Sequence, residues 1–178
     1  VVTVDCGITA CEPAALAKQA GIDLIITDHH QFDSATLPDA FALVHPALEN
    51  ADAAGETSPL CGAGVAWKLA WQFARDYCGS ERLPNAFRHL LLDLLAFAAL
   101  GTVADMVPLI GENRVITVHG LGRIKHTTFP GLNALIDASR LRDGKIDSYA
   151  VGFRLAPRLN AAGRLGHARD AAKLFTHA

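Results

Sequence analysis

The sequence predicts an α/β fold in which a parallel sheet flanked by helices is followed by a mainly helical segment. Short apolar runs at residues 1–4, 23–27 and 41–45 have the composition of strands. Helical periodicity links the first two runs and dominates the chain after residue 60. The 178 residues are 51% hydrophobic and 19% charged, which is enough apolar material for a core and excludes an intrinsically disordered protein.

The first 45 residues predict a strand–helix–strand unit and one further strand. Residues 1–4 (VVTV) form the first strand, and residues 9–20 form a helix with Thr9 as its N-cap. The second strand is 23–27 (DLIIT), and the third is 41–45 (FALVH). A strand–helix–strand crossover makes the strands parallel, and their continuous apolar character predicts a sheet that is buried on both faces.

The rest of the chain predicts helices separated by turns. Residues 113–124 fit a helix better than a strand, because Arg114, Val118, Leu121 and Ile124 recur with a period of 3.6. The predicted elements are a polar loop at 49–59, helices at 64–77 and 85–99, a turn at 101–108, and helices at 113–124, 130–141, 148–155 and 167–175.

The net charge of -2 hides two halves of opposite sign. Residues 1–113 carry five Lys and Arg against fourteen Asp and Glu, whereas residues 114–178 carry eleven against four. Two surfaces with different roles would explain this split, and chance together with solvated helix faces is the alternative. We expect a sheet-containing domain at 1–112 and a helical, basic continuation of the same core at 113–178.

Cysteine usage and hydropathy indicate a cytoplasmic protein without a membrane span. The four cysteines lie scattered in apolar surroundings, without the paired spacing of a zinc site or of a disulfide framework. The longest uncharged apolar run, residues 94–104, has 11 residues, whereas a bilayer requires about 20. The chain also begins inside a strand and ends just after a helical pattern, so we expect a piece of a longer protein that is truncated at both ends.

Two of the predicted strands end in groups that bind cations. Asp5 follows the first strand, and Asp28, His29 and His30 follow the second. Ligands bind at the carboxyl ends of strands in open parallel sheets, and carboxylates with imidazole suit a divalent ion such as Mn²⁺. In the alternative interpretation, Asp28 is a helix N-cap and both histidines face solvent. Asp105, in the segment GTVADMVP, is a further candidate ligand or else a turn-capping residue.

The basic half contains the segment RLNAAGR at 158–164. Two guanidiniums, an amide and small residues are suited to holding a phosphate, whereas a helix end with solvated arginines is equally compatible with the pattern. The segment CGAGVAWK at 61–68 matches neither glycine-rich phosphate-binding pattern, so Gly62 and Gly64 are interpreted as a tight entry to a helix. The histidines outside the Asp-His-His segment lack ligand spacing and are interpreted as structural or surface residues.

Four segments together resemble the DHH phosphoesterases. They are VDCG at 4–7, TDHH at 27–30, GTVADMVPL at 101–109 and RLNAAGR at 158–164. Within that superfamily, the chain is most similar to the bacterial exonucleases that degrade single-stranded DNA from the 5′ end. The segments LCGAGVAWKL and GENR strengthen this likeness, because the smaller DHH phosphatases and pyrophosphatases lack the combination.

The resemblance implies a role for each candidate residue. Metal ligands of a two-manganese site would be Asp5, His29 and Asp105, with Mg²⁺ as a possible replacement ion. Asp28 would orient the site, and His30 would face the scissile phosphate. The substrate phosphate would be held by Arg158, Asn160 and Arg164. The implied activity is hydrolysis of single-stranded DNA to 5′-mononucleotides in DNA repair and recombination, with other repair proteins as further partners.

The sequence departs from the family pattern in one respect. The family's first motif, an Asp-rich strand end that supplies several metal ligands, is absent from this sequence. We therefore expect the isolated chain to bind metal weakly and to be inactive. Two alternatives remain: another DHH phosphodiesterase that acts on short oligonucleotides or cyclic dinucleotides, and a non-catalytic DHH module that binds nucleic acid.

Overall fold

The computed structural model describes residues 1–48, 60–165 and 167–177, so the loop predicted at 49–59 lies outside the described residues. A short sheet is followed by packed helices, as the sequence predicts. In chain order the elements are β1 (Val2–Val4), α1 (Cys11–Gln19), β2 (Ile25–Thr27), β3 (Ala42–Val44), α2 (Gly62–Cys78), α3 (Asn85–Ala104), α4 (Gly111–Ile124), α5 (Pro130–Ala138), α6 (Ser148–Ala150), a π-helical segment (Val151–Leu155), α7 (Ala156–Leu165) and α8 (Ala168–Thr176).

The described residues form a three-stranded parallel sheet in the order β1-β2-β3. Ile25 of β2 pairs with Val2 of β1 and with Ala42 of β3, which confirms the crossover that the sequence predicts. The prediction that the sheet is buried on both faces is wrong, because β3 is only half-buried and β1 is more exposed still. Val2 and Val4 are more than half exposed. Alternate residues of a strand lie on the same face, so the described residues leave that face of β1 largely uncovered.

The boundaries of α1 and α3 differ from the prediction. Helix α1 begins at Cys11 with Ala10 as its N-cap and without a side-chain cap, so the assignment of Thr9 as N-cap is wrong. Helix α3 continues to Ala104, through much of the turn predicted at 101–108. Gly101 permits this extension, because a side chain there would collide with Ala63 of α2. The longer α3 places Asp105 at its C-terminal end.

Helix α4 is confirmed, but its buried face agrees only in part with the apolar period: Ile124 is buried and Leu121 packs against the core, as predicted. Arg114 and Val118 are exposed. The face that packs consists mainly of small and polar residues, namely Asn113, Ile116, Thr117, Gly120 and Ile124. Gly120 lies against Ala99 and the Leu95 carbonyl of α3, so close backbone approach, and not apolar side chains alone, sets the orientation of α4.

The segment 158–164 lies entirely within a helix. Ser148 to Leu165 is one continuous helical run whose middle, Val151–Leu155, is π-helical. This run extends the helix predicted at 148–155 through the RLNAAGR motif. Helix α5 ends at Ala138, three residues before its predicted end, where Ser139 is the C-cap and Arg140 adopts a positive φ of 52°.

Helix α3 connects the two halves of the core. It has the length and mean hydropathy of a membrane-spanning helix, 1.5 over 18 residues, and 39% of that window is buried inside the protein. Leu95 and Ala99 pack with α2 and α4, whereas Ala96 and Leu100 pack with the helices after residue 124. The apolar surface of α3 is therefore shared between two hydrophobic clusters, and its C-terminal end is held at the edge of the sheet.

Candidate metal centre

Asp5 marks a sharp change of chain direction at the end of β1. Its φ is 65°, in the left-handed region that residues other than glycine adopt rarely. Its N–H donates to the Thr27 carbonyl at 3.0 Å, which continues the strand pairing by one residue before the chain turns. The side chain remains 57% exposed, so its carboxylate is accessible to a ligand.

Asp28 fixes the Asp-His-His segment after β2. Its carboxylate is 2% exposed and accepts hydrogen bonds from the N–H groups of Ile8 (2.9 Å), His29 (2.8 Å) and His30 (3.3 Å). Burial raises the pKa of Asp28, but the hydrogen bonds from Ile8 and from the two histidines outweigh it and lower the pKa to about 2. Asp28 is therefore an ionised anchor for the backbone that presents both imidazoles.

His29 lies between two carboxylates from distant parts of the chain. Its Nε2 is 3.0 Å from Oδ1 of Asp5 and 3.5 Å from Oδ2 of Asp105, while the ring itself is 11% exposed. Asp105 reaches this position because α3 ends there, and its side chain is 44% exposed. The structure thus brings together the three residues that the family resemblance implies as metal ligands.

The spacing of these atoms fits a divalent cation. Two ligand atoms at right angles around a six-coordinate ion, each about 2.1 Å away, are separated by about 3.0 Å. The separations of His29 from Asp5 and Asp105 are close to this value. A ring nitrogen of His30 also lies within 4.8 Å of the ligand atoms of Asp5 and His29. Carboxylate and imidazole without thiolate suit Mn²⁺ or Mg²⁺ better than a softer ion.

His30 is held by Asp28 and by His45, one of the histidines interpreted from the sequence as structural or surface residues. Its Nδ1 lies 2.7 Å from Oδ1 of Asp28, and this hydrogen bond raises the pKa of His30. His45 is buried, accepts the Ala47 N–H at Nδ1, and so donates from Nε2 to the His30 carbonyl at 2.9 Å. His45 directly follows β3 as Asp5 follows β1, and that position was the signal that could have connected it to the site.

Replacing Asp28 with Asn should lower the free energy of unfolding by about 2 kcal/mol at pH 7, because an amide cannot accept at both oxygen positions and leaves a buried N–H unpaired. The folded pKa lies below the ordinary value of 3.8, so the Asp28 carboxylate stabilises the fold above pH 4 and loses this effect as the pH falls toward 2. Urea unfolding at pH 7 and pH 3 measures both effects. Exposed Asp143, replaced with Asn, is the control, and equal losses at both pH values would contradict the assignment.

The three candidate phosphate-binding residues of α7 do not form a single cluster. Asn160 and Arg164 are four residues apart and share one helix face, whereas Arg158 lies on another face. All three are exposed, and the Arg158 guanidinium donates to the Arg154 carbonyl at 2.7 Å. Within the described part of the chain, none of these three forms a hydrogen bond or an ion pair with Asp5, His29 or Asp105. Their role in phosphate binding stays a prediction.

The fold and the site define a class of protein: an α/β domain with carboxylates and imidazoles gathered at the carboxyl ends of parallel strands. Residues 1–99 match the family described as "DHH family, N-terminal domain". The chain belongs to the DHH family. The Asp-His-His segment of that name is the loop at 28–30, in which Asp28 is buried and His29 faces the two carboxylates.

Curated relatives and solved structures are similar to this chain over almost its whole length. The single-stranded-DNA-specific exonuclease RecJ of Bacillus subtilis is 44% identical in an alignment 178 positions long, which covers 98% of this chain and 20% of that protein. The RecJ of Escherichia coli is 40% identical over 93% of this chain and 29% of its own length. A crystal structure of Thermus thermophilus RecJ in complex with Mn²⁺ aligns with a TM-score of 0.80 and 37% identity, covering 98% of this chain and 24% of that one. The chain therefore spans between a fifth and a third of these relatives.

Proposed function

We propose that this chain is part of the catalytic core of a metal-dependent exonuclease that degrades single-stranded DNA. The observation that carries the proposal is the position of His29 Nε2 between the carboxylates of Asp5 and Asp105. Those ligands come from the ends of β1, β2 and α3, which lie up to a hundred residues apart in the sequence. The similarity to RecJ proteins from several bacteria supports single-stranded DNA as the substrate class. We propose in addition that degradation proceeds in the 5′→3′ direction.

Each residue of the site would have a distinct role in the proposed reaction. Asp5, His29 and Asp105 hold the divalent cation, which we propose to be Mn²⁺ with Mg²⁺ as a substitute. Asp28 holds the loop, and its hydrogen bond keeps His30 cationic over a wider pH range, which suits a residue facing the scissile phosphate. When bound, the metal supplies the Lewis acidity that phosphodiester hydrolysis requires. Solvent reaches Asp5 and Asp105, so a DNA phosphate could also reach them.

The basic side of the chain would hold the rest of the substrate. Asn160 and Arg164 share a helix face that could contact one phosphate, and Arg158 would contact the strand from an adjacent face. We place the activity in DNA repair and recombination in the cytoplasm, alongside other repair proteins. The four cysteines are free, which fits a reducing compartment.

The number of ligands bears on the activity of the isolated chain. Two six-coordinate ions require more protein ligands than Asp5, His29 and Asp105 supply, even with His30 close by. We therefore infer that the 178 residues bind one ion weakly and do not hydrolyse DNA by themselves. Mn²⁺-dependent release of nucleotides from 5′-phosphorylated single strands by the purified chain would overturn this inference.

A chimaera tests the function directly. The segment of Bacillus subtilis RecJ that matches this chain is replaced by the chain itself, and DNA labelled at either end is offered single-stranded and as a duplex. We expect Mn²⁺-dependent release of mononucleotides from the 5′ end of the single strand, and loss of that release when Asp5 is replaced with Ala. Preference for dinucleotides, or DNA binding without hydrolysis in a folded chimaera, would contradict the proposal and favour a short-substrate enzyme or a binding module respectively.

A further inference from the structure

Asp5 depends on an unusual neighbour for its position. Its carboxylate lies against Gly62, the first residue of α2, which is buried. A Cβ atom on residue 62 would lie 2.1 Å from Oδ1, 2.5 Å from Cγ and 2.7 Å from Cβ of Asp5. Contacts this short do not occur between folded side chains, so residue 62 has room for a hydrogen atom only.

Rotation of the Asp5 side chain would not relieve this collision. A different χ1 rotamer would move the carboxylate, but the Cβ of Asp5 is fixed by its backbone, whose left-handed φ of 65° already departs from the common regions. Any side chain on residue 62 would therefore displace the turn after β1 itself. The 3.0 Å approach of Oδ1 to His29 Nε2 depends on that same turn.

The surroundings on α2 favour a carboxylate at this place. The first turn of the 17-residue helix contains no acidic residue of its own, and its N-cap is the Sγ of Cys61, which accepts the Gly64 N–H. The N-terminus of a helix carries a partial positive charge that attracts anions. Asp5, which directly follows β1, places its carboxylate beside Gly62 at this end of α2.

We propose that Gly62 is a positioning residue of the metal centre. Because Gly62 has no side chain, the Asp5 carboxylate can lie beside it and approach His29. The role of Asp5 as a ligand rests on the proposed function, whereas the mechanical coupling of residues 5 and 62 does not. Gly64 provides a matched control two residues along the same helix turn. A Cβ there would meet Leu60 at 3.4 Å, an ordinary contact.

Two measurements on the 178-residue chain test the proposal. In the first, Mn²⁺ is added while the ring resonances of His29 are followed by NMR, since bound Mn²⁺ broadens them. Gly62→Ala should raise the Mn²⁺ concentration for half-broadening at least tenfold, as changes beside metal ligands do, and Gly64→Ala should change it less than twofold. Equal concentrations for the two variants would overturn the proposal.

The second measurement is a double-mutant cycle on stability without metal. Gly62→Ala should destabilise the unaltered chain, and that loss should shrink by more than half in an Asp5→Gly background, where the colliding atoms are gone. The same loss in both backgrounds would overturn the positioning role. If the unaltered chain shows no selective broadening at His29, the metal proposal fails, and this cycle alone still decides whether Gly62 positions residue 5.

Discussion

Asp105→Ala should weaken Mn²⁺ binding by this chain at least 100-fold while the fold stays intact. The side chain supplies one of the two carboxylates beside His29 Nε2, and loss of a direct ligand exceeds the 10–100-fold cost of changing a residue behind one. As the C-cap of α3, Asp105 contributes its backbone N–H, which Ala retains. Stability should therefore change by less than about 0.5 kcal/mol.

The measurement is a Mn²⁺ titration followed by electron paramagnetic resonance of the free ion, with urea unfolding on the same samples. Asp143→Ala removes an exposed carboxylate outside the cluster and should leave the affinity unchanged. Unaltered affinity in Asp105→Ala would remove this residue from the metal centre. Equal weakening in both variants would show that net charge, and not a specific ligand, attracts the ion.

Gly120→Ala should lower the free energy of unfolding by about 2 kcal/mol, the typical cost of overfilling a tight core contact. A Cβ on residue 120 would lie 2.3 Å from the Cβ of Ala99 and 2.5 Å from the Leu95 carbonyl oxygen. The oxygen belongs to the backbone of α3, so it cannot rotate away as a flexible side chain would. The two helices must separate instead.

The control lies two residues further along α4. Gly122→Ala introduces a Cβ with nothing within 4 Å and should stabilise the helix by about 0.5–1 kcal/mol. Opposite signs for the two variants in urea unfolding would confirm that the α3–α4 crossing is set by the missing side chain of Gly120. A stabilising effect of both would contradict it. Because α3 carries Asp105, we also expect Gly120→Ala to weaken Mn²⁺ binding, and Gly122→Ala to leave it unchanged.

The candidate ligands could be found from the sequence because the sequence shows where the strands end. An apolar β-branched run that stops at Asp or His identifies the carboxyl end of a strand, and parallel strands gather those ends at one edge. Asp5 and His29 were predicted in this way, and they are 3.0 Å apart. Asp105 was harder, since its position depends on the full length of α3, which extends beyond its predicted end.

Close contacts that depend on the lack of a side chain on glycine could not be predicted from the sequence. Hydrophobic periodicity counts apolar side chains, so it does not identify a face of α4 that packs through Gly120 and Thr117. Gly62 resembled an ordinary helix entry, because nothing local to 61–68 indicates that Asp5 fills the space beside it. The sequence of 158–164 is compatible with a phosphate-binding segment and with a helix end that carries solvated arginines, and the structure shows that the segment is helical.

Anomalous scattering from a crystal of this chain soaked in Mn²⁺ tests the central claim most directly. We expect a peak at the manganese edge within bonding distance of an Asp5 oxygen, His29 Nε2 and an Asp105 oxygen, with Asp28 still bonded to the Ile8 N–H behind it. A soak of Asp105→Ala should lose or weaken that peak. Manganese bound only by other residues, or no peak at a concentration that saturates the titration, would contradict the account.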